Sequence, residues 1–533
     1  NSGRTMDLDG TYGGFNITRS AFKIYMIEAG KTAVDFGSKY IILDGAAVSL
    51  TTLSFDDELI EQFRTYLHNN FDGQELAEMG VADISSFNYR AYLKTEAGGN
   101  YTSSESLNNN PPSDGLWEAW KKNIILVERQ FFEDWTSEIR TYAKNTYSAN
   151  IYFGANRYMN ARQWDLIDLF DVGVAETFLD DLGYPYYNLD HAYKNIRNFD
   201  KRFWSWNFPA NTGKFNGSND PWGDYHLTEL SRVFLAECFA AGGIYQIANG
   251  WKEYLNSDAS IDMIADDLRF ARSHYELFNL DDDGEVAIVY NEAFEIEDTG
   301  GFTPGYRGII MLLNDAHRSH DVIFAGHPSK RGGIDPFSST DLSSYKAVIL
   351  PNARMLTDSQ VEKLNSYLNN GGIVIGFGRI ADLDEDGEDK SASRTFDDHF
   401  ASDGSTTVGA GKAISISQNI GNLYYSNAAT NTSGNNWEVT ASNLSLLSEY
   451  QTTWSSAVDG FIDWDFESEG LSRLVHLYTY KDDDGSMVYH MVNKDINLTS
   501  DVDDQSMNDT ATVSCEIEIP NGFSESDVKL SWM

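Results

Sequence analysis

Cysteine is nearly absent, with two residues, Cys238 and Cys515, in a chain of 533. They lie far apart and outside any metal-binding or redox spacing, which excludes a disulfide framework and a thiolate metal site and leaves room for at most one bridge. Long apolar runs are missing too. The longest, "VFLAECFAAGGIYQIA" from residue 233, is broken by Glu237 and a Gly-Gly pair. It is too short to span a bilayer and reads as a buried helix followed by a strand. Positive charge is scarce, at 39 Lys and Arg against 81 Asp and Glu, a formal net charge of -42. Such a surface repels a phosphate backbone, so nucleic acid is not an expected partner. It stays soluble where salt screens its self-repulsion, which points to an ion-rich extracellular or cell-surface setting. No histidine pair has zinc spacing with a third ligand near, and no repeat recurs at a fixed period.

What is present is globular composition, 41% hydrophobic and 13% aromatic, in a chain longer than one core usually serves. Up to residue 280, short apolar strands alternate with amphipathic helices, the pattern of parallel βα units. "KYIILDG" is followed by the helix "DDELIEQFRTYLHNNF", with Leu59, Ile60, Phe63 and Leu67 at helical spacing. In "LWEAWKKNIILVERQFFEDWTSEIRTYAKN", residues Trp117, Trp120, Ile124, Val127, Phe131, Trp135, Ile139 and Tyr142 predict one long core-facing helix. Strands are expected at "NIYFGAN", "FDVGVAETF", "RFWSWNFP" and "GGIYQIA".

A composition shift at "NLDDDGE" opens a second unit, 281–395, with a doubly wound, flavodoxin-like α/β pattern. From 396 to 533 the chain is rich in Ser, Thr and Asn. "LVHLYTY" and "MVYHMVN" flank a "KDDDGS" turn, so this part is expected to be a small antiparallel β-domain, a β-sandwich in kind.

The order of these parts resembles the clan of glycoside hydrolases that includes microbial beta-galactosidases, with a (β/α)-barrel, an amidotransferase-like domain and a small β-domain. "GSKYIILDG" looks like the fourth barrel strand, the Trp117 helix like the one before strand five, and "YKAVILPNARMLTDSQVEKLNSYLNNGGIVIGFG" like the amidotransferase-like domain. The resemblance implies an α/β fold over 1–280 whose first three barrel strands have no counterpart, since the ~40 residues before Tyr40 are too few for three βα units. Further N-terminal chain, a second chain or a homo-oligomer would then complete the barrel.

The resemblance also implies an Asn-Glu pair after strand four and a nucleophilic Glu after strand seven. Here those places hold Asp44-Gly45 and "SWNFPAN", so the family's pair does not carry over. The amidotransferase-like part has no cysteine at "VILPNAR", which suits a packing or oligomerisation module rather than amide hydrolysis.

Glycoside hydrolysis commonly uses two carboxyl groups across a cleft, one protonated and one ionised. At the ends of the expected strands the available carboxylates are Asp44 and Glu176; binding loop amides and pairing with Arg157 are their plainer uses. Asn156, Arg157 and Asn207 could orient sugar hydroxyls or anchor loops, and Trp204, Trp206 and Tyr245 could stack on a sugar or fill the core. Asp382, Asp384 and Asp386 stand at alternate positions before Gly387, like the first half of a calcium loop, although position twelve would be Ser393. A structural calcium is the one ion this spacing suggests; no cofactor is otherwise required. Seven N-x-S/T sites would allow a glycoprotein. The expected function is an extracellular glycoside hydrolase-like protein acting on a polysaccharide or oligosaccharide. The alternative is a non-catalytic relative serving as a structural or sugar-binding part of a cell-surface or filamentous assembly.

Overall fold

The computed structural model describes residues 4–6, 12–15, 19–44, 55–103, 106–107, 110, 112, 114–156, 166–178, 190–208, 224–247, 258–297, 302–327, 334–385, 387–391, 393–429, 441–469, 473–494 and 514–517. The chain divides into two compact units, Asn1–Arg157 with Gln163–Val172, and Tyr158–Arg162 with Gly173–Met533.

In the first unit, β1 (Arg4–Met6) pairs antiparallel with β2 (Tyr12–Phe15), and β3 (Tyr40–Asp44) pairs parallel with β4 (Tyr152–Asn156). Between β3 and β4 the chain builds a helical layer. Helix Asp57–Asn70 starts where the Asp56 carboxylate accepts the amides of Glu58 and Leu59, and it buries Leu59, Ile60, Phe63 and Leu67. This is the face its apolar spacing predicts. The 33-residue helix Gly115–Tyr147 buries Trp117, Trp120, Ile124, Phe131, Trp135 and Ile139 along its predicted stripe. Trp120 holds that core together, with its ring 5.2 Å from Phe55 and 4.9 Å from Phe63.

In the second unit, β5 (Val172–Phe178, its first residue in the first unit), β6 (Arg202–Phe208) and β7 (Ile244–Ile247) alternate with helices Asp190–Arg197 and Asp224–Ala240, and helix Asp258–Ser273 follows β7. The apolar run from Val233 is thus a helix and then a strand. The turn between them needs Gly242, at φ +71°. The described strands of both units that precede residue 280, after the β1–β2 pair, are β3 to β7.

The doubly wound sheet is built from β9 (Val286–Asn291), β10 (His320–Ala325), β11 (Ala347–Pro351), β12 (Ile373–Phe377), β13 (Gly404–Val408) and β14 (Gly411–Ile416) in the order β10-β9-β11-β12-β14-β13. The expected boundary at 395 is therefore corrected. β14 lies parallel to β12 with Ile373 beside Lys412, and β13 closes the edge antiparallel, so the sheet runs to Ile416. Two helices follow, Ile420–Ala429 and Ala441–Val458. The second buries Leu447, Tyr450, Trp454 and Val458, a helical stripe that its Ser- and Thr-rich composition disguises.

Only then do the antiparallel strands come. β16 (Val475–Lys481) and β17 (Met487–Asn493) form the expected hairpin, β15 (Phe466–Glu469) pairs with β18 (Ser514–Ile517), and β8 (Asp281–Asp282) joins β16 from the middle of the sequence.

Helix Phe302–Asp315 packs on helix Ile420–Ala429 at backbone distance. A Cβ at Gly308 would overlap the Gly421 carbonyl, and one at Gly421 the Gly305 carbonyl. Gly308→Ala is expected to lower unfolding stability by about 1–3 kcal/mol, the usual cost of overpacking. Denaturant titration of the variant checks this, and an unshifted midpoint would show that the two helices part freely.

Candidate functional site

In a parallel strand, alternate residues face opposite sides, and the helices identify the sides here. Phe153 and Ala155 of β4 are buried, with the Phe153 ring 4.8 Å from Trp135 of the long helix. Tyr152 and Asn156 lie on the other side. That side is open at the amino end of the pair, for Tyr152 is 42% exposed and stacks at 5.3 Å on Tyr40, itself 60% exposed, while further along Ile42 is exposed and Gly154 buried. The parallel register sets Tyr40 beside Tyr152, Ile42 beside Gly154 and Asp44 beside Asn156. Position 44 therefore shares the open face and the carboxyl end of the strand pair with the half-buried Asn156. The Asp44 side chain itself lies outside the described residues.

Position 176 differs. It shares its parity along β5 with Val172 and Val174, both buried, and the Glu176 side chain is likewise outside the described residues. Asp44 and Glu176 also belong to different compact units. On β6, Phe203 and Ser205 are buried, and the Phe203 ring packs at 5.2 Å on Tyr193 of helix Asp190–Arg197. Trp204 faces the opposite side, half-buried, and its indole Nε1 has no acceptor. Trp206 shares that parity, whereas Asn207 shares the parity of Ser205. Tyr245 is the register partner of Ser205 and Ile244 that of Trp204, so Tyr245 lies on the helix side and is not brought together with Trp204. Arg157 lies outside the described residues.

The acidic turn is already supplied with cations. Both Asp382 oxygens accept from Arg354, at 2.9 and 2.7 Å, and Arg379 reaches the same carboxylate. The Asp384 carboxylate accepts the Glu388 amide at 2.9 Å, and Asp386 lies outside the described residues. Buried Arg394 faces Asp358, Glu385, Asp397 and Asp384, and its burial lowers its pKa. Among the described residues, no group of three His, Cys, Asp or Glu side chains is arranged to hold a metal. No described helix is long and apolar enough to cross a membrane.

Sequence reasoning missed a buried polar network in the second unit. Asp190 accepts the Tyr478 hydroxyl at 2.6 Å and the Asn314 amide at 2.7 Å. Lys494 pairs with Glu237, and Lys194 donates to the His320 carbonyl. All of these groups are buried. Burial alone would raise Asp190, but Lys494, Lys194 and His476 outweigh it and hold its carboxyl well below the usual range. Burial pushes Glu237 up to about 7 and His320 down to about 3, leaving the imidazole neutral. Burial likewise raises the free thiol of Cys238 to about 12, which makes it inert. The network joins elements.

No family model matches the chain. Alpha-agarase from Alteromonas agarilytica is 24% identical over 348 residues, 60% of this chain and 23% of that protein. The chain thus spans about a quarter of that curated relative's length. A GH42 beta-galactosidase from G. stearothermophilus matches with a TM-score of 0.59 at 12% identity, over 90% of this chain and 78% of that one. A beta-galactosidase from the Antarctic haloarchaeon Halorubrum lacusprofundi matches at 0.58 and 13% identity, over 94% and 87%. A GH42 exo-carrageenase from Bacteroides ovatus matches at 0.54 and 12%, over 91% and 65%. The chain shares the fold of these glycoside hydrolases. The resemblance read from its domain order holds at that level.

One pH effect follows from the second unit. Burial and the neighbouring Asp282 carboxylate raise Asp321 to about 7. A raised carboxyl keeps in the folded state a proton that the unfolded chain releases, so the contribution of this one group to stability is full below pH ~4 and is lost as pH rises through ~7, by up to about 1.4 kcal/mol per pH unit. Asp321→Asn is expected to flatten this slope. Denaturant midpoints at pH 5, 6, 7 and 8 check it, and identical slopes in both proteins would exclude Asp321 as the source.

Proposed function

We propose that this chain is a glycoside hydrolase-like protein that acts outside the cell or at its surface on a polysaccharide or oligosaccharide containing galactose. The observation that carries the reading is Asp44, at the carboxyl end of a parallel strand, in register with Asn156 on the open face of β3 and β4. In a barrel of this class, that end of the strands is where catalytic groups gather. The fold neighbours support the substrate class, since their names span beta-galactosidase and carrageenase, and the curated relative is an agarase.

In this reading β3 to β7 are strands of an incomplete (β/α)-barrel, followed by a flavodoxin-like domain and an antiparallel β-domain. Further strands, a second chain or another copy would cover the open face, where Tyr40, Ile42 and Tyr152 leave apolar surface. Asp44 and Glu176 are the carboxyl groups of this proposal, each tested through its own variant.

One observation favours the non-catalytic alternative, a structural or sugar-binding component. Glu176 shares its strand parity with buried valines, whereas Asp44 shares its own with exposed residues. The discriminating experiment measures release of reducing ends from agarose, carrageenan and galactan by the full-length protein, with Asp44→Asn and Glu176→Gln made separately. Loss of at least a hundredfold in both variants is expected of a catalytic pair. Undiminished turnover in both would exclude the pair, and no turnover by the parent protein would favour the non-catalytic reading.

A structural calcium at Asp382, Asp384 and Asp386 is part of the proposal, and it has to displace Arg354 and Arg379 from Asp382. If it binds, adding calcium to fully chelated protein raises the melting temperature, because a ligand held only by the folded state stabilises it. An unchanged melting temperature leaves Asp382 to the two arginines.

A further inference from the structure

Two helices of the first unit end side by side and leave aromatic rings in solvent. Helix Ser20–Asp35 stops at Asp35, with Phe36 as its C-cap and Gly37 at φ +85°. Helix Gly115–Tyr147 stops at Tyr147, with Ser148 at φ +53°. Left-handed residues end both helices abruptly, so the last side chains project where the backbone turns away. Phe36 is 87% and Tyr147 51% exposed.

Between the helices the Asp35 carboxylate is held in place. Its Oδ1 accepts both the Tyr142 hydroxyl, at 2.7 Å, and the Tyr147 hydroxyl, at 2.8 Å. The two phenols hold the Asp35 pKa below its ordinary value, so it is ionised at neutral pH. The Asp35 side chain is exposed, so the fixed carboxylate can accept further hydrogen bonds from solvent or a ligand. The Tyr142 and Tyr147 rings meet edge to face at 6.3 Å, and the Lys31 ammonium stands 5.9 Å from the Tyr142 ring.

We infer that Asp35, Phe36, Tyr142 and Tyr147 form a surface site for pyranose rings of a polysaccharide, separate from the strand ends that carry Asp44. The inference rests on the carbohydrate reading above. A pyranose offers a C–H face that packs on an exposed aromatic ring and, at its rim, hydroxyls that donate to a fixed carboxylate. The exposed rings amount to roughly 300 Å². That is well short of the about 800 Å² per partner that a stable protein interface needs, and suits two or three sugar rings.

The position fits a holding role. Phe36 and Tyr147 precede the amino ends of β3 and β4, whereas Asp44 closes the carboxyl end of β3 about 13 Å of strand further on. A polymer held at this site leaves the candidate catalytic end free, and tethering raises its effective concentration there.

The test is retention of the full chain in native gels cast with agarose oligosaccharides, carrageenan or galactan, comparing parent protein with Phe36→Ala and Tyr147→Ala singly and together. The double variant is expected to lose at least tenfold in affinity for one of these polymers, with an unchanged circular dichroism spectrum and unchanged cleavage of any short soluble substrate. Equal retention of parent and double variant, or no retention of the parent, overturns the inference. Loss of self-association in the variants without loss of glycan retention also overturns it, in favour of a protein contact. Cleavage is read separately through the Asp44 and Glu176 variants. A protein that binds glycan through these rings and cleaves none would keep this inference while removing the enzymatic one.

Discussion

The second unit depends on buried charge that must find its counter-charge. Lys494 and Glu237 are both buried, and the pair is closed across 257 residues of sequence. Removing water from either ion costs several kcal/mol, and only the partner and further hydrogen bonds offset it. Asp190 extends the same constraint. It is satisfied only when Tyr478 of β16 and Asn314 of helix Phe302–Asp315 both reach helix Asp190–Arg197. Each element of the network is thus held in a specific place by a group that cannot be left alone. Apolar packing by itself would tolerate many small shifts.

The alternation along the strands does the corresponding sorting for function. Phe153 and Phe203 fix which side meets the helices, and every other residue of those strands is assigned by parity. Asp44 and Asn156 fall together by register, and Trp204 and Trp206 by spacing. Tyr245 and Asn207, similar in chemistry, fall on the other side. Residue type proposes a sugar contact, but a one-residue step along a strand decides whether it faces the open side.

Much of this could be read from the sequence, for identifiable reasons. The long helix was legible because a stripe of Trp, Ile and Phe at 3.6-residue spacing has no other use, and the β16–β17 hairpin because two alternating runs flank an Asp-Gly turn. The domain order resembled the glycoside hydrolases, and the fold matches them. The face of Glu176 was not legible. Gly173 and Ala175 are as small as a buried side requires, so "VGVAE" does not show which parity is covered. The extent of the doubly wound sheet was hidden because "GKAISI" is short and Ser- and Gly-flanked, and helix Ala441–Val458 because seven of its residues are Ser or Thr. The buried network was invisible for a different reason. Lys494 reads as one more surface lysine until the fold brings it to Glu237.

Scarce positive charge links these observations. With 39 basic side chains against 81 acidic ones, the protein spends several cations inside. Lys194 and Lys494 serve the network, Arg197 holds Asp282 at 2.8 Å, Arg232 holds Asp267 at 2.6 Å, and Arg354 holds Asp382. Each cation committed to a buried or half-buried carboxylate is unavailable to balance the outer surface. That surface therefore repels other acidic macromolecules, and it does so less as salt rises. Recognition of a ligand in solution then has to rely on aromatic faces and oriented hydrogen-bond acceptors rather than on cationic clamps. Sugar rings are bound well by that combination, and it is what the described surface of the first unit offers at Phe36, Tyr147 and Asp35.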